Sequence, residues 1–269
     1  MSTASDAIPV NVLTGSLGSG KTTLLTQLLR APEMAGAAVL VNEFGEVGLD
    51  HHLLEGVSET ALLLENGCIC CTVRGDLRDA LRTLFDRRER GSIPPFDRVV
   101  VETSGLADPV PIAYTLLSDI VLQHHFRLGQ MVVTVDAVNI VAQLDRHPET
   151  AKQLAVADHI VLTKGDLVDA DGRNRAHEAI RSVNGAARIV EPHEGTASIL
   201  FADDSAVDRD ALNARYAMPT TGLVHDHTEG VRTLTLRYSS PIDWTAFGVW
   251  MTLLLARHGD NVLRIKGLV

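Results

Sequence analysis

The three cysteines of this 269-residue chain, Cys68, Cys70 and Cys71, lie within four consecutive positions. Thiolates are soft, anionic ligands, and several on one short loop favour zinc, cobalt(II) or copper(I), whereas magnesium prefers oxygen ligands. A disulfide is the alternative interpretation. A bond between the neighbours Cys70 and Cys71 would close a strained ring, however, and the odd number of cysteines leaves one thiol over. The cluster therefore favours a transition-metal site.

A second motif, GSLGSGKT at residues 15–22, follows a strand-like apolar segment and precedes a segment of helical spacing. This order of strand, loop and helix is the one that a phosphate-binding P-loop requires, because its backbone N–H groups turn inward around phosphate oxygens. Lys21 can reach the terminal phosphates, and the hydroxyl of Thr22 can bind Mg²⁺. The residues predicted to bind the nucleotide here are Gly15, Gly18, Ser19, Gly20, Lys21, Thr22 and Thr23.

Apolar runs alternate with segments of helical spacing along much of the chain. The alternation predicts an α/β fold, a P-loop NTPase with a mostly parallel sheet flanked by helices. Ligands of such sheets bind at the carboxyl ends of the strands, so the residues that follow each strand are the functional candidates. The strand-like runs are 8–13, 37–41, 98–101, 131–135 and 159–162, and the helix-like stretches lie near 76–89, 108–118, 138–156 and 171–182.

Acidic side chains follow two of these strands. Glu43 and Glu46 come after the run 37–41, in a loop whose glycines and carboxylates could approach either Mg²⁺ or the clustered metal. Glu102 comes directly after the run 98–101 and can hold the Mg²⁺ shell, while the amide of Gly105 can meet a γ-phosphate. Both loops are thus predicted to respond to the nucleotide.

The segment TKGD at 163–166 follows the last of these strands. An aspartate at position 166 can accept hydrogen bonds from both N1–H and the exocyclic amine of guanine, a donor pair that adenine lacks. The aliphatic part of Lys164 can cover the base. The segment therefore predicts GTP rather than ATP as the nucleotide.

Composition limits the partners. The formal net charge of −10 argues against nucleic acid or an anionic membrane as a partner, because both favour basic surfaces. The N-terminus lacks the features of a targeting signal, and no apolar run reaches the ~18 residues of a membrane span. Free thiols also fit a reducing compartment, so we expect a cytoplasmic protein.

Taken together, these motifs resemble the CobW-like family of metal-chaperone P-loop GTPases. The resemblance extends over residues 8–269, and its most specific feature is a Cys-x-Cys-Cys loop inside a P-loop GTPase. It implies a protein that binds zinc or cobalt and delivers it to a client metalloenzyme, coupled to GTP hydrolysis. The segments that carry it are GSLGSGKTT at 15–23, NEFGE at 42–46, GCICC at 67–71, ETSG at 102–105 and TKGD at 163–166.

The resemblance also implies roles for individual residues. Family members commonly carry Asn where this chain has Thr163, so guanine selectivity would rest mainly on Asp166. We expect slow hydrolysis without a partner, because the motifs contain no clear water-orienting glutamine or arginine finger. The implied catalytic residues are Lys21, Thr22, Glu102 and Gly105; the guanine-binding residues are Thr163, Lys164 and Asp166; the Mg²⁺ ligands are Thr22 and Glu102; and the transition-metal ligands come from Glu43, Glu46, Cys68, Cys70 and Cys71.

The expected domains are a P-loop GTPase domain at 1–202, a polar linker at 203–230 and a partial CobW-like module of α+β type at 231–269. Apolar residues of the module, Trp244, Phe247, Met251 and Leu254, recur at helical spacing and predict a packed helix. Related proteins usually continue beyond a last strand like that at 262–269, so we expect either a shortened module or a sheet that another chain completes. An unpaired strand edge favours association, and we expect this edge to form a homodimer or to bind the client.

Two other functions fit part of the pattern. A P-loop small-molecule kinase could carry the cysteines as a structural metal site, although such sites normally have four cysteine or histidine ligands. A metal-sensing regulatory GTPase would share every motif, and only transfer of metal to a client would distinguish it from a chaperone.

Overall fold

The computed structural model describes residues 7–41, 62–65, 73–201, 236, 241–263 and 265. Within these ranges, seven strands form one sheet in which every neighbouring pair is parallel, in the order β3-β2-β4-β1-β5-β6-β7. The predicted parallel α/β architecture is thereby confirmed. The strands are β1 (Ile8–Thr14), β2 (Ala37–Val41), β3 (Leu62–Glu65), β4 (Arg98–Glu102), β5 (Phe126–Asp136), β6 (His159–Thr163) and β7 (Arg188–Val190).

Helices cover both faces of the sheet. Alternate side chains of a strand point to opposite faces. In β4, accordingly, Val100 packs in the core cluster that contains α1 and α8, whereas Val99 and Val101 pack with α2, α3 and α4. The helices are α1 (Lys21–Leu28), α2 (Val73–Glu89), α3 (Val110–Ser118), α4 (Ile120–His125), α5 (Ile140–Arg146), α6 (Pro148–Val156), α7 (Ala170–Val183), α8 (Thr196–Phe201) and α9 (Trp244–His258). In the ranges given above, no helix has the length and apolar character needed to cross a membrane.

The stretch 138–156, predicted as one helical segment, is two helices. α5 ends at Arg146, His147 has an extended backbone, and Pro148 is the first residue of α6. Proline favours the first turn of a helix and cannot continue one, because it lacks an N–H donor and its ring clashes with the preceding turn. α6 is therefore a separate helix, and its side chains contact the loops of the candidate site.

One buried amide ties α6 to α7. Asn184, which follows α7, donates through Nδ2 to the carbonyls of Leu154 (2.7 Å) and Ala157 (3.1 Å). Its Oδ1 accepts from the backbone N–H groups of Ala186 (3.1 Å) and Ala187 (2.9 Å). The side chain therefore satisfies the last turn of one helix and the chain that leads from the other into β7.

Replacing Asn184 with alanine is expected to lower the free energy of unfolding by about 2 kcal/mol, because four backbone groups lose their partner in a buried place. Urea unfolding followed by circular dichroism measures the change. Asn174→Ala is the matched control, since Asn174 is exposed on α7. Equal stability of the two variants would contradict the proposed importance of these hydrogen bonds.

The C-terminal part is described only in α9 and its immediate surroundings. The predicted helix is present, but none of its side chains is buried, and Trp244 is 65% exposed. The expectation that its apolar residues form a packed core is therefore not met among the residues that the structure covers. The predicted linker 203–230 and most of the segments 231–240 and 262–269 lie outside them, and the domain boundaries stay predictions.

Candidate nucleotide site

The loop of residues 15–22 connects the carboxyl end of β1 to α1. Gly15 has a φ of 141° and Gly20 one of 91°, conformations that favour glycine. A Cβ on Gly15 would also lie 2.4 Å from the carbonyl oxygen of Thr134. Glycine is therefore required there both by backbone conformation and by the close approach of β5.

Two neighbouring strands hold the far side of this loop. The hydroxyl oxygens of Ser19 and Thr134 lie 2.6 Å apart, and the hydroxyl of Thr163 donates to the Ser19 carbonyl at 2.8 Å. The amine of Lys21 donates to the carbonyls of Gly15 (3.0 Å) and Ser16 (3.3 Å), so it lies over the loop where terminal phosphates would bind. Thr163, predicted to read guanine, thus contacts the phosphate loop itself.

The predicted magnesium ligands are in contact. The hydroxyl of Thr22 donates to Oε1 of Glu102 at 2.8 Å, and Glu102 is buried at the end of β4. A hydroxyl and a carboxylate oxygen at this separation fit Mg²⁺, which prefers hard oxygen ligands and keeps several waters. Thr23 lies exposed on the next position of α1.

The loop after β4 lies directly against the phosphate loop. The hydroxyl of Thr103 donates to that of Thr14 at 2.8 Å, which fixes the start of the loop. A Cβ on Gly105 would lie 2.5 Å from the backbone nitrogen of Leu17 and 2.7 Å from its Cα. Gly105 is thus brought to the phosphate end of the site, as its predicted role requires.

The segment predicted to bind guanine begins at the end of β6. Lys164 has a φ of 57°, and it is the only residue other than glycine with a positive φ in the part of the chain that the structure describes. Its amine donates to Oδ2 of Asp136 at 2.7 Å. Asp166 is exposed in the following turn, and Arg173 of α7 donates to the carbonyl of Gly165 at 2.9 Å. The turn is therefore held from both sides, with the Asp166 carboxylate open to solvent.

Asp136, at the end of β5, is a functional candidate that the sequence reasoning missed. Its carboxylate also accepts from the backbone N–H of Val138 (2.9 Å) and the side-chain amide of Asn139 (2.8 Å). Burial raises the pKa of Asp136, but the hydrogen bonds from Lys164, Asn139 and Val138 outweigh it, and the pKa lies below its ordinary value. The sequence does carry a signal for Asp136, because this acid directly follows the apolar run 131–135 just as Glu102 follows the run 98–101.

The predicted transition-metal residues lie outside the residues that the structure describes. These are Glu43, Glu46, Cys68, Cys70 and Cys71. The strands that lead to them are described, however. Val41 at the end of β2 pairs with Glu65 at the end of β3 and with Glu102 at the end of β4. The chain thus leaves the sheet towards both predicted ligand segments at neighbouring strand ends. These ends lie beside the predicted magnesium site at Thr22 and Glu102.

A parallel sheet with a phosphate loop after β1, an acid at the end of β4 and a TKGD turn after β6 defines a P-loop GTPase. The sequence model of the CobW/HypB/UreG nucleotide-binding domain matches residues 9–191, and the chain belongs to this family. The predicted family and the predicted GTPase activity are thereby confirmed.

Similarity to individual relatives extends over nearly the whole chain. It is 34% identical over 264 residues to the zinc chaperone YjiA of Escherichia coli, covering 97% of this chain and 81% of YjiA. It is 31% identical over 295 residues to the zinc chaperone CobW of a Sinorhizobium species, covering 97% of this chain and 80% of that protein. Its fold is similar to the crystal structure of the Zn(II)-bound YjiA GTPase, with a TM-score of 0.61 and 27% identity over 94% of this chain and 79% of that one.

Proposed function

We propose that this GTPase is a metallochaperone that binds zinc or cobalt(II) at its Cys-x-Cys-Cys loop and delivers it to a client metalloenzyme in step with GTP hydrolysis. Two relatives that align over most of their length are named zinc chaperones. Cys68, Cys70 and Cys71 supply the soft ligands that such a cargo prefers. Glu43 and Glu46 are the proposed oxygen ligands.

The register of the strand ends carries this proposal. Val41, Glu65 and Glu102 are cross-strand partners, and neighbouring strands lie about 4.8 Å apart. Glu43 follows Val41 by two residues and Cys68 follows Glu65 by three. Each residue spans at most ~3.6 Å of chain. The Glu43 carboxylate and the cysteine thiolates can therefore meet close to the proposed magnesium ligands Thr22 and Glu102.

Hydrolysis chemistry belongs to the phosphate end of the site. Lys21 would neutralise charge on the terminal phosphates, and the Gly105 amide would donate to the γ-phosphate. Thr22 and Glu102 would hold Mg²⁺, which would neutralise negative charge on the phosphates during hydrolysis. Asp166 would accept the two N–H donors of guanine, and the stem of Lys164 would cover the base.

Nucleotide binding and metal binding would be coupled because the loops near the γ-phosphate would also contribute to the metal site. In the GTP state, the γ-phosphate would tether the loop after β4 and the segment that carries Glu43 and Glu46, and would thereby complete the four-coordinate metal site. Loss of the γ-phosphate on hydrolysis would remove a ligand or distort the geometry. Coupling between two sites is typically about 1–3 kcal/mol, which would lower the metal affinity about 5- to 150-fold and favour transfer to a client.

We expect the reduced protein to bind zinc and cobalt(II) about tenfold more tightly with Mg²⁺ and a non-hydrolysable GTP analogue than with Mg²⁺ and GDP, which lies within the usual range of such couplings. Competition with a chromophoric chelator measures both affinities. The same titration shows which of the two metals is preferred.

The double variant Cys70→Ser, Cys71→Ser is the control, and it should lose the tight binding while it retains GTP hydrolysis. Equal metal affinity in the two nucleotide states would contradict the chaperone cycle and favour a structural metal site. Nucleotide-dependent binding without transfer to any apo-client would instead favour a metal-sensing regulatory GTPase.

A further inference from the structure

Helix α6 contacts both loops that surround the phosphate end of the site. The hydroxyl oxygens of Thr150 and Ser16 lie 3.1 Å apart, which joins α6 to the phosphate loop. The amide nitrogen of Gln153 donates to the carbonyls of Gly105 (3.3 Å) and Ala107 (3.0 Å), which joins the same helix to the loop after β4. A single turn of α6 therefore fixes the relative position of the two loops.

The burial of these side chains indicates a defined arrangement. Gln153 is 1% exposed and Thr150 is 4% exposed, although both are polar. A buried amide retains its place only when its donors are satisfied, and Gln153 uses them on the backbone of one loop. A glutamine amide has two N–H groups, which matches the two carbonyls that it contacts.

Gly105 is consequently held from two sides. The backbone of Leu17 lies against it, since a Cβ on Gly105 would come within 2.5 Å of the Leu17 nitrogen. Gln153 binds the Gly105 carbonyl from α6. If either contact were lost, the backbone on both sides of Gly105 could rotate or move away from the phosphate loop. The Gly105 N–H would then move with it.

We propose that Gln153 is a positioning residue for GTP hydrolysis, which holds the loop after β4 so that the Gly105 amide can reach the γ-phosphate. The inference rests on the role proposed above for Gly105. GDP has no γ-phosphate, so Gln153 should contribute to the binding of GTP but little to that of GDP. A side chain that merely stabilised the fold would weaken both nucleotides alike or neither.

The first measurement is the ratio of two affinities, for a fluorescent non-hydrolysable GTP analogue and for fluorescent GDP, each with Mg²⁺. The second is kcat for phosphate release. In Gln153→Ala, we expect analogue affinity and kcat each to fall about tenfold while GDP affinity stays within about twofold, as for a donor that acts through one loop. Gln153→Glu should lower analogue affinity and kcat further, because a carboxylate cannot donate to the two carbonyls and its negative charge is repelled by their oxygens.

Gln143→Ala, the same substitution on α5, is the matched control and should leave the ratio and kcat unchanged. Asn184→Ala controls for stability, because it destabilises the end of α6 and does not contact either loop through its side chain. An unchanged ratio in Gln153→Ala, or a change as large in Asn184→Ala, would overturn the inference.

The Gly105→Ala variant separates the two possible failures. If its ratio is also unchanged, the proposed role of Gly105 is wrong, and the role of Gln153 falls with it. If its ratio changes and that of Gln153→Ala does not, only the inference about Gln153 is wrong. Metal affinity does not enter either measurement, so the chaperone proposal is tested separately.

Discussion

Gly105→Ala is expected to lower the rate of GTP hydrolysis by about 100-fold, because a displacement of roughly 1 Å at a reacting group costs that much. The added Cβ would lie 2.5 Å from the nitrogen and 2.7 Å from the Cα of Leu17. Both are backbone atoms, so no side-chain rotation relieves the contact. The loop after β4 must therefore move away from the phosphate loop, and the Gly105 amide moves with it.

Single-turnover phosphate release measures this rate, and thermal unfolding checks that the variant is folded. Gly185→Ala is the matched control, because its Cβ would meet only the Arg181 carbonyl oxygen at 3.8 Å, an ordinary contact. A hydrolysis rate in Gly105→Ala within about threefold of the unsubstituted protein would mean that the Gly105 amide does not stabilise the transition state, since loss of one such donor typically costs 100-fold or more.

The contact between Gly105 and the phosphate loop depends on strand order, which the sequence does not state. Val12 of β1 pairs with Val101 of β4, although the two are far apart along the chain. Hydrophobic periodicity located both strands to within a residue or two, since buried strands of a parallel sheet are short apolar runs. That pattern does not say which strands are neighbours. The P-loop could still be assigned, because its whole motif is contiguous in sequence.

The residues that sequence reasoning missed act through contacts between distant elements. Gln153 occupies an ordinary position on α6, and its significance comes from the carbonyls that α6 brings it against. Asp136 acts on Lys164 because β5 and β6 are paired, with Asp136 opposite Thr163 in the register. In contrast, the sequence does indicate the break before α6, since Pro148 lies within the stretch 138–156 and a proline cannot continue a helix.

Different residues hold the phosphate end and the guanine end of the candidate nucleotide site. Substitutions at the two ends should therefore have different effects on nucleotide affinity. α6 and the phosphate loop hold Gly105 at the end proposed to bind the γ-phosphate, where GTP and GDP would differ. Asp136 and Arg173 hold the segment around Lys164 at the end proposed to bind guanine, which the two nucleotides share. Variants at the first end should change the ratio of GTP to GDP affinity, and variants at the second should change both affinities equally.

Asp136→Asn is accordingly expected to weaken GTP and GDP alike, by about 100-fold, because the charge-assisted hydrogen bond to Lys164 contributes about 1.5–3 kcal/mol and is replaced by opposed donors. In the native chain, Oδ2 accepts from the Lys164 amine (2.7 Å) and the Asn139 side-chain amide (2.8 Å), and Oδ1 accepts from the Val138 backbone N–H (2.9 Å). An asparagine NH₂ group would face a donor in either orientation, because both carboxylate oxygens act as acceptors. Without this partner, the Lys164 side chain would lose the contact that holds it in place, and its stem would no longer be positioned for its proposed role of covering the base.

Fluorescent GDP and IDP distinguish this effect from direct base recognition. Inosine lacks the exocyclic amine of guanine, so Asp166→Asn should weaken GDP more than IDP. Asp136→Asn should weaken both by the same factor, because Lys164 is proposed to cover the ring face that the two bases share. Asp145→Asn, at an exposed position on α5, is the matched control. GDP affinity of Asp136→Asn within twofold of that control would show that Lys164 reaches the base without the carboxylate of Asp136, and β6 alone would then position the guanine-binding segment.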